Sequence, residues 1–210
     1  MSIKSKVFAG AAALSVMAGG LGVAGAATAH ASTVPCHKGC VEVSNGGAVL
    51  DVYKANAAKG QKIIMWGASN YDKATDFTVR AQGTINQFYK AGLASAALNL
   101  HYGHELAVEI EYSPYGVPSG FCVGTANGNG AVASLRPCGV SSKTLWAIDR
   151  THSGTVLVNG ASSNFSDPNV LTNRGGVVYD SALKEFAGTR PFHGGPVQEN
   201  QIWTYSTGVQ

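Results

Sequence analysis

The stretch "VLDVYKANAAKGQKIIMW", residues 49–66, consists of two short apolar segments with a polar, Gly-containing turn between them. Apolar and β-branched segments on either side of such a turn are typical of a β-hairpin. Asp51 interrupts the first segment, and Trp66 closes the second. The stretch therefore predicts a hairpin with one carboxylate and one indole, which are either a binding pair or ordinary parts of a β protein.

The pattern of this hairpin recurs twice further along the chain. Each of the three units has a short strand, a turn with Asn or Gly, a second strand and a closing aromatic residue. The closing aromatics are Phe77 in "DFTV", Trp146 in "KTLWAI" and Trp203 in "NQIWTY". Helical periodicity is nearly absent, which favours an all-β fold. Because no single unit could bury its own apolar face, the pattern predicts a β-trefoil in which the three aromatics fill a shared core.

The three repeats are unequal in length, and we expect them to form a single domain over residues 32–210. An insertion is predicted over about 85–117, and its segment "INQFYKAGLASAALNL" (85–100) is the best helix candidate. A second insertion is predicted inside the third unit, near "GGVVYDSALKEFAGTRP" (175–191). The repeats themselves are predicted at about 45–80, 118–150 and 168–206.

The N-terminal segment has the features of a secretory leader. Two lysines precede a long apolar run that ends on "AHA" at 29–31, the small-x-small pattern that signal peptidase cleaves. The sequence therefore predicts a signal peptide over 1–31 and a secreted, extracellular protein with no membrane association after cleavage. A membrane anchor is the alternative, because the run is long enough to span a bilayer. We favour the leader because the run is rich in Gly and Ala and no basic cluster follows it.

The charge of the expected mature chain is nearly balanced. The whole chain has 15 Lys and Arg against 12 Asp and Glu, and two of the basic residues fall in the leader, which leaves a net charge of +1. This balance lacks the basic excess that is typical of nucleic-acid-binding proteins, so we expect no nucleic-acid partner.

All four cysteines, Cys36, Cys40, Cys122 and Cys138, lie in the expected mature chain. An even number of cysteines in an exported protein favours two disulfides over a metal site. Three pairings are open, of which 36–40 with 122–138 is the most economical. The sequence "CHKGC" differs from a haem attachment site and has no further metal ligands nearby. We therefore expect neither a metal nor a cofactor.

The three repeated units together resemble the ricin-type β-trefoil, also called the ricin B-like lectin domain. The resemblance covers most of residues 45–206, and it implies a carbohydrate-binding protein whose ligand is a cell-wall or environmental polysaccharide. In that family a sugar site combines an Asp on the first strand of a unit, a Gln and an aromatic residue on the second, and an Asn-Gln pair before the closing Trp. The resemblance rests on "LDV" at 50–52, "FCVG" at 121–124, the spacing of Cys122 and Cys138, and "NQIW" at 200–203.

The first unit keeps half of this set. An aromatic face packs against the C–H face of a pyranose, and each hydrogen bond to a sugar hydroxyl adds little over water, so a site needs several groups at once. The unit has Asp51 and Trp66, with Asn70 as a polar neighbour. Ile64 stands in place of the Gln, and "AT" at 74–75 stands in place of the Asn-Gln pair. The resemblance therefore implies weak sugar binding at Asp51, Trp66 and Asn70.

The other two units keep less of the set. The third unit has Asn200 and Gln201 before its closing Trp but Thr172 in place of the Asp, and His193 falls near the aromatic position. It is a second candidate sugar site, although its Gln is as well suited to hold backbone groups in a turn. The second unit has Gly124 in place of the Asp and is interpreted as structural.

The sequence contains no motif of an enzyme. There is no Gly-x-Ser-x-Gly elbow and no phosphate-binding loop, and "HYGHE" (101–105) lacks the His-Glu-x-x-His order of zinc proteases. Spacing alone does not select a pair of carboxylates for glycoside cleavage. We therefore expect a binding protein that is not an enzyme.

A trefoil without sugar binding is the alternative function. In that case the inserted segments bind a protein partner, for example as a protease inhibitor. Geometry distinguishes the two alternatives, because a sugar site requires Asp51 and Trp66 to line one open pocket with polar neighbours. A buried Asp51 on turn amides, with Trp66 in the core, favours the protein-binding alternative.

Overall fold

The computed structural model describes residues 40–67, 73–126, 130–139, 141–152, 154–163, 168–174, 185–191 and 198–207. Antiparallel strands dominate these residues, and two short helices lie between the fourth and fifth strands. No helix among the described residues combines the length and the apolar character that a membrane span requires. The strands are β1 Val41–Asn45, β2 Ala48–Val52, β3 Ile63–Gly67, β4 Phe77–Thr84, β5 Leu106–Tyr112, β6 Phe121–Thr125, β7 Ala133–Pro137, β8 Trp146–His152, β9 Gly154–Asn159, β10 Asn169–Asn173, β11 Glu185–Pro191 and β12 Thr204–Thr207.

Six of the strands pair into a closed ring. β1 pairs with β4, β4 with β5, β5 with β8 and β8 with β9. Thr155 in β9 bridges to Trp203, the residue directly before β12, and β12 pairs back onto β1. Because the ring returns to its first strand, it forms a barrel without a free edge.

The other six strands form three hairpins, which are β2–β3, β6–β7 and β10–β11. The hairpins contact one another in a triangle: β3 pairs with β11, Lys62 bridges to Ser134, and Val132 bridges to Gly188. A six-stranded barrel with three such hairpins, one for each repeat, is a β-trefoil. The predicted all-β trefoil fold is therefore confirmed.

The three closing aromatics are completely buried in one core, as predicted. Phe77, Trp146 and Trp203 all belong to the large apolar cluster inside the barrel. The indole Nε1 of Trp146 donates to the carbonyl of Val123 in β6, and that of Trp203 donates to the carbonyl of Leu171 in β10, both over 2.9 Å. These two bonds join a barrel residue to the hairpin of the same unit at equivalent places. Phe77 fills the corresponding position in the first unit without a donor group.

The segment after β4 forms two short helices, α1 Ile85–Lys90 and α2 Ala96–Tyr102. Gly92, with a φ of +74°, lies in the turn between them, which explains why the predicted helix is interrupted there. The apolar sides of both helices cover the outer face of β5, β8 and β9 in a second apolar cluster. Burial, with Asp149 and Glu105 close by, raises the pKa of Tyr102 at the end of α2 to about 12. The helices thus form a packed layer on one side of the barrel.

The predicted unit boundaries need correction. The insertion predicted over 85–117 is too long, because Leu106–Tyr112 is barrel strand β5 and not inserted sequence. The repeats predicted to start near 118 and 168 likewise omit β5 and β9, the barrel strands that open the second and third units. The second insertion, predicted near 175–191, ends in hairpin strand β11, and its residues 175–184 lie outside the described part of the chain. The strands β5 and β9 were left out of the predicted repeats because they contain neither the hairpin motif nor the closing aromatic residue by which the repeats were recognised.

A disulfide joins Cys122 to Cys138, at the base of the β6–β7 hairpin, as predicted. The bond closes the hairpin where the backbone N–H of Cys138 also donates to the carbonyl of Gly120, over 3.0 Å. Cys40 is disulfide-bonded as well. Cys36 lies outside the described residues, so the pairing 36–40 stays a prediction.

We predict that Trp146→Phe lowers the free energy of unfolding by about 1–3 kcal/mol, because the buried carbonyl of Val123 loses its indole donor. Trp203→Phe should have a similar effect through Leu171. Urea unfolding measures both values, with Trp66→Phe on the outer face of the first hairpin as the matched control. Equal losses for Trp146→Phe and Trp66→Phe would contradict the role given to the buried indole bonds.

Candidate functional site

Asp51 and Trp66 line the same open pocket, which has a volume of about 280 Å³. The pocket lies on the outer face of the β2–β3 hairpin. Asp51 is opposite Ile64 in the ladder, and Trp66 is opposite Val49. Successive side chains of a strand point to opposite faces, so Leu50 and Met65 point into the core. The other lining residues are Tyr53, Lys54, Ala55, Ile64 and Ala74.

The two predicted site residues differ in exposure. Asp51 is 6% exposed, so only a small part of this residue is open to the pocket that it lines. Trp66 is only partly buried, which leaves part of its ring accessible in the same pocket. This arrangement offers one deep acceptor and one apolar platform, the two kinds of group that a pyranose ring requires. Asn70, the third residue predicted for this unit, lies outside the described residues.

One wall of the pocket is a strained turn over Tyr53–Ala55. Lys54 and Ala55 both have left-handed backbones, with φ of 60° and 49°. Such conformations cost about 1–2 kcal/mol for residues other than glycine, and they persist where surrounding contacts enforce them. Here the backbone N–H of Tyr53 donates to the carbonyl of Lys62 over 3.1 Å, and the Gln61 side chain donates to the carbonyl of Tyr53. The turn places the Lys54 ammonium 5.4 Å from the centroid of the Tyr53 ring.

Tyr53 and Lys54 were not predicted from the sequence as parts of this site. A signal was present, because both residues directly follow the strand that contains Asp51. Their position on the pocket wall depends on the left-handed turn, and non-glycine residues in such turns have no clear sequence mark. Ala74 also lines the pocket, at a place where the family has an amide.

The Asn-Gln pair of the third unit lies in the 3-10 turn Glu199–Gln201. The Asn200 amide donates to the carbonyl of Asn173 over 3.1 Å. Gln201 is 3% exposed, and its amide donates to the Thr172 hydroxyl over 3.5 Å. Both side chains thus tie the turn to β10, the strand where the family has its Asp.

A second amide holds the same turn from the other side. The Asn45 Nδ2 donates to the carbonyls of Glu199 and Ile202, over 2.6 and 2.7 Å, and its Oδ1 accepts from Asn173 over 3.2 Å. This network gives Asn200 and Gln201 structural partners and places them apart from the residues that line the pocket of Asp51 and Trp66. Their role in ligand binding stays a prediction.

The register identifies the residue that corresponds to Trp66 in the third unit. Trp66 is opposite Val49, and in β10–β11 Arg190 is opposite Val170. The aromatic position therefore falls on Arg190 and not on His193, which lies outside the described residues. The inserted sequence within this unit caused the misalignment.

The second unit has no room for an aspartate at the position that corresponds to Asp51. Gly124 occupies the position of Asp51, and a Cβ built on it would lie 2.8 Å from the carbonyl oxygen of Lys143. It would also lie 2.9 Å from Cδ of Arg136, the residue at the aromatic position. The structure thus agrees with the interpretation of this unit as structural.

One cluster of potential metal ligands occurs among the described residues, and it consists of Glu109, Cys122 and Cys138. The two cysteines are joined in a disulfide and therefore offer no thiolate. The Glu109 carboxylate accepts from the backbone N–H of Gly139 over 2.8 Å and from the Thr144 hydroxyl over 2.7 Å. These contacts explain the cluster as part of the packing around the hairpin.

Comparison with known proteins adds evidence on the fold. No protein-family model matches the chain, and no curated protein matches it. Among solved structures, the designed threefold-symmetric protein ThreeFoil is similar with a TM-score of 0.55 and 15% identity, over 79% of this chain and 96% of that chain. The Rhizoctonia solani agglutinin is similar with a TM-score of 0.51 and 16% identity, over 84% of this chain and 98% of that chain.

Part of a larger enzyme is also similar in structure to this chain. The exo-β-1,3-galactanase 1,3Gal43A from Clostridium thermocellum matches with a TM-score of 0.54 and 12% identity, over 84% of this chain but only 31% of the enzyme. Similarity at such identities shows the fold alone. The comparisons agree with the closed barrel and its three hairpins, and they support the predicted β-trefoil fold.

We predict that Gly124→Asp, which restores the family's carboxylate in the second unit, destabilises the protein without creating a sugar site. The new Cβ would press on the carbonyl of Lys143, and overpacking of this kind costs about 1–3 kcal/mol. Thermal unfolding measures the loss, and Ala126→Asp adds the same charge at an exposed position as the control. Unchanged stability of the Gly124 variant would show that the space around β6 is larger than the structure indicates.

Proposed function

We propose that this chain is a secreted carbohydrate-binding protein that recognises glycans weakly through the pocket of its first unit and does no chemistry on them. The observation that supports this most is the meeting of Asp51 and Trp66 in one open pocket. The shared pocket and the partly accessible indole agree with the requirement for a sugar site derived from the sequence, whereas the burial of Asp51 agrees with the alternative. The alternative function is favoured by a Trp66 that lies in the core, but the indole of Trp66 is partly accessible.

The chemistry of the pocket accounts for the expected weakness. A carboxylate accepts hydrogen bonds from two neighbouring hydroxyls of a sugar, and an indole face covers the C–H groups of the ring. The family's amides are replaced by Ile64 and Ala74, so the pocket loses several further bonds. Since each such bond contributes about 0.5–1.5 kcal/mol, we expect a dissociation constant near the millimolar range, which corresponds to about 4 kcal/mol.

The similar proteins give this proposal limited support. One is an agglutinin that matches over nearly its whole length, and another is a galactanase of which this chain spans less than a third. The first is consistent with glycan binding by an isolated trefoil. The second is consistent with a trefoil as part of a larger polysaccharide-degrading enzyme.

A protein-binding scaffold, such as a protease inhibitor, is the second candidate function. It is favoured by the apolar side chains that the helical layer exposes to solvent. Leu100 in α2 is 70% exposed, and Tyr89 in α1 is also exposed. Exposed large apolar side chains can take part in a protein contact.

We predict that the purified protein binds at least one polysaccharide in a panel of cell-wall and environmental glycans. Trp66→Ala removes the platform and should weaken that binding at least tenfold, the equivalent of about 1.4 kcal/mol. Asp51→Asn keeps the shape of the carboxylate but removes its charge, and it should also weaken binding. Affinity electrophoresis or isothermal titration measures these changes.

Tyr89→Ala is the control, because it removes an exposed aromatic ring from α1. Binding that survives both pocket substitutions would move the site away from the first unit. Failure of the unaltered protein to bind any glycan of the panel would rule out the carbohydrate function and favour a protein partner.

A further inference from the structure

A second partly exposed aromatic ring lies on the turn Pro114–Gly116, which follows β5. Tyr115 in this turn has a left-handed backbone with a φ of 54°, an unusual conformation for a bulky residue. Its backbone N–H donates to Oδ2 of Asp76 over 2.9 Å, and Asp76 itself is only 8% exposed. A buried carboxylate therefore helps to hold the turn in a form that leaves the Tyr115 ring 41% exposed.

This ring is connected to the pocket by the short turn Lys73–Thr75. Ala74 in the middle of this turn lines the pocket. The same turn contacts the turn Pro114–Gly116, and the Lys73 ammonium lies 5.9 Å from the centroid of the Tyr115 ring. This turn thus joins the pocket to Tyr115, and we name the residues that line the pocket, together with Lys73 and Tyr115, the extended surface.

Two exposed lysines give the described part of the extended surface accessible positive charge. Lys54 at the pocket and Lys73 beside Tyr115 are both exposed, and neither ammonium forms a salt bridge with a described residue. Asp51 is the acidic residue among those that line the pocket, and it is almost completely buried, so little of its surface is exposed beside the two lysines. Lys54 lies next to the Tyr53 ring and Lys73 next to the Tyr115 ring, so each positive charge lies beside an aromatic side chain.

We propose that the extended surface binds an anionic oligosaccharide rather than a single neutral sugar. One ring of the ligand packs on Trp66 with its hydroxyls at Asp51, and a neighbouring ring packs on Tyr115. Carboxylate or phosphate groups of the ligand lie at Lys54 and Lys73. This inference rests on the proposed carbohydrate function and adds the length and the charge of the ligand to it.

The ligand series that tests this inference varies length and charge separately. Isothermal titration compares galacturonic acid with its trimer, and the trimer with its neutral methyl ester. A glycan with phosphodiester links is the second arm and distinguishes phosphate from carboxylate as the source of the charge. We expect the trimer of at least one anionic series to bind about fivefold more tightly than the monomer and than the neutral form, and to lose this advantage in high salt.

The protein variants test the same surface from the other side. Lys73→Gln removes a charge, and Tyr115→Asn removes the ring with a residue that tolerates the left-handed backbone. Each should weaken binding of the anionic trimer about three- to fivefold and leave binding of the monomer unchanged. Lys90→Gln, at an exposed position of α1, is the control for loss of a surface charge.

The outcomes separate the two proposals. If Trp66→Ala abolishes binding while neutral and anionic trimers bind equally and Lys73→Gln and Tyr115→Asn have no effect, the extended surface is wrong and the carbohydrate function stands. If no glycan of either series or of the polysaccharide panel binds, both proposals fail together.

Discussion

The fold depends on the way in which each closing aromatic residue is held between its hairpin and the barrel. The buried indoles of Trp146 and Trp203 donate to hairpin carbonyls, and Phe77 fills the equivalent space in the first unit. These contacts fix one face of each hairpin against the shared core. The opposite face of a hairpin takes no part in that packing, because the side chains of a strand alternate between the two faces. It can therefore change from unit to unit without loss of the fold.

The outer faces of the three hairpins differ from one another. The first holds an open pocket that Asp51 lines, and the second is filled so closely at Gly124 that no Cβ fits. In the third, Thr172 and the neighbouring amides bind one another and hold the turn before Trp203. A threefold scaffold thus presents one candidate site, and the residues of the family's sugar set that survive elsewhere have structural partners.

The sequence predicted those features that recur, and it missed those that occur once. Three closing aromatics and the Cys122–Cys138 spacing predicted the trefoil and one disulfide, since each lies in a pattern that core packing enforces. The barrel strand Leu106–Tyr112 was taken for inserted sequence because, although Glu109 and Glu111 alternate with apolar residues as in a strand, it contains no hairpin motif and no closing aromatic residue. The pocket wall at Lys54 depends on strained backbone that tertiary contacts maintain, and local sequence does not encode such contacts.

Ligand binding is centred on the pocket of the first hairpin and does not use the outer faces of the other two hairpins. The most direct measurement is a two-dimensional amide NMR titration of the protein with the glycan that it binds best. We expect the largest shift changes at the amides of Asp51, Lys54, Trp66 and Ala74, with those of Gly124 and Thr172 unchanged. If the largest changes instead fell on Thr172 and Gln201, the site would lie on the third unit and the assignment to the first hairpin would be wrong.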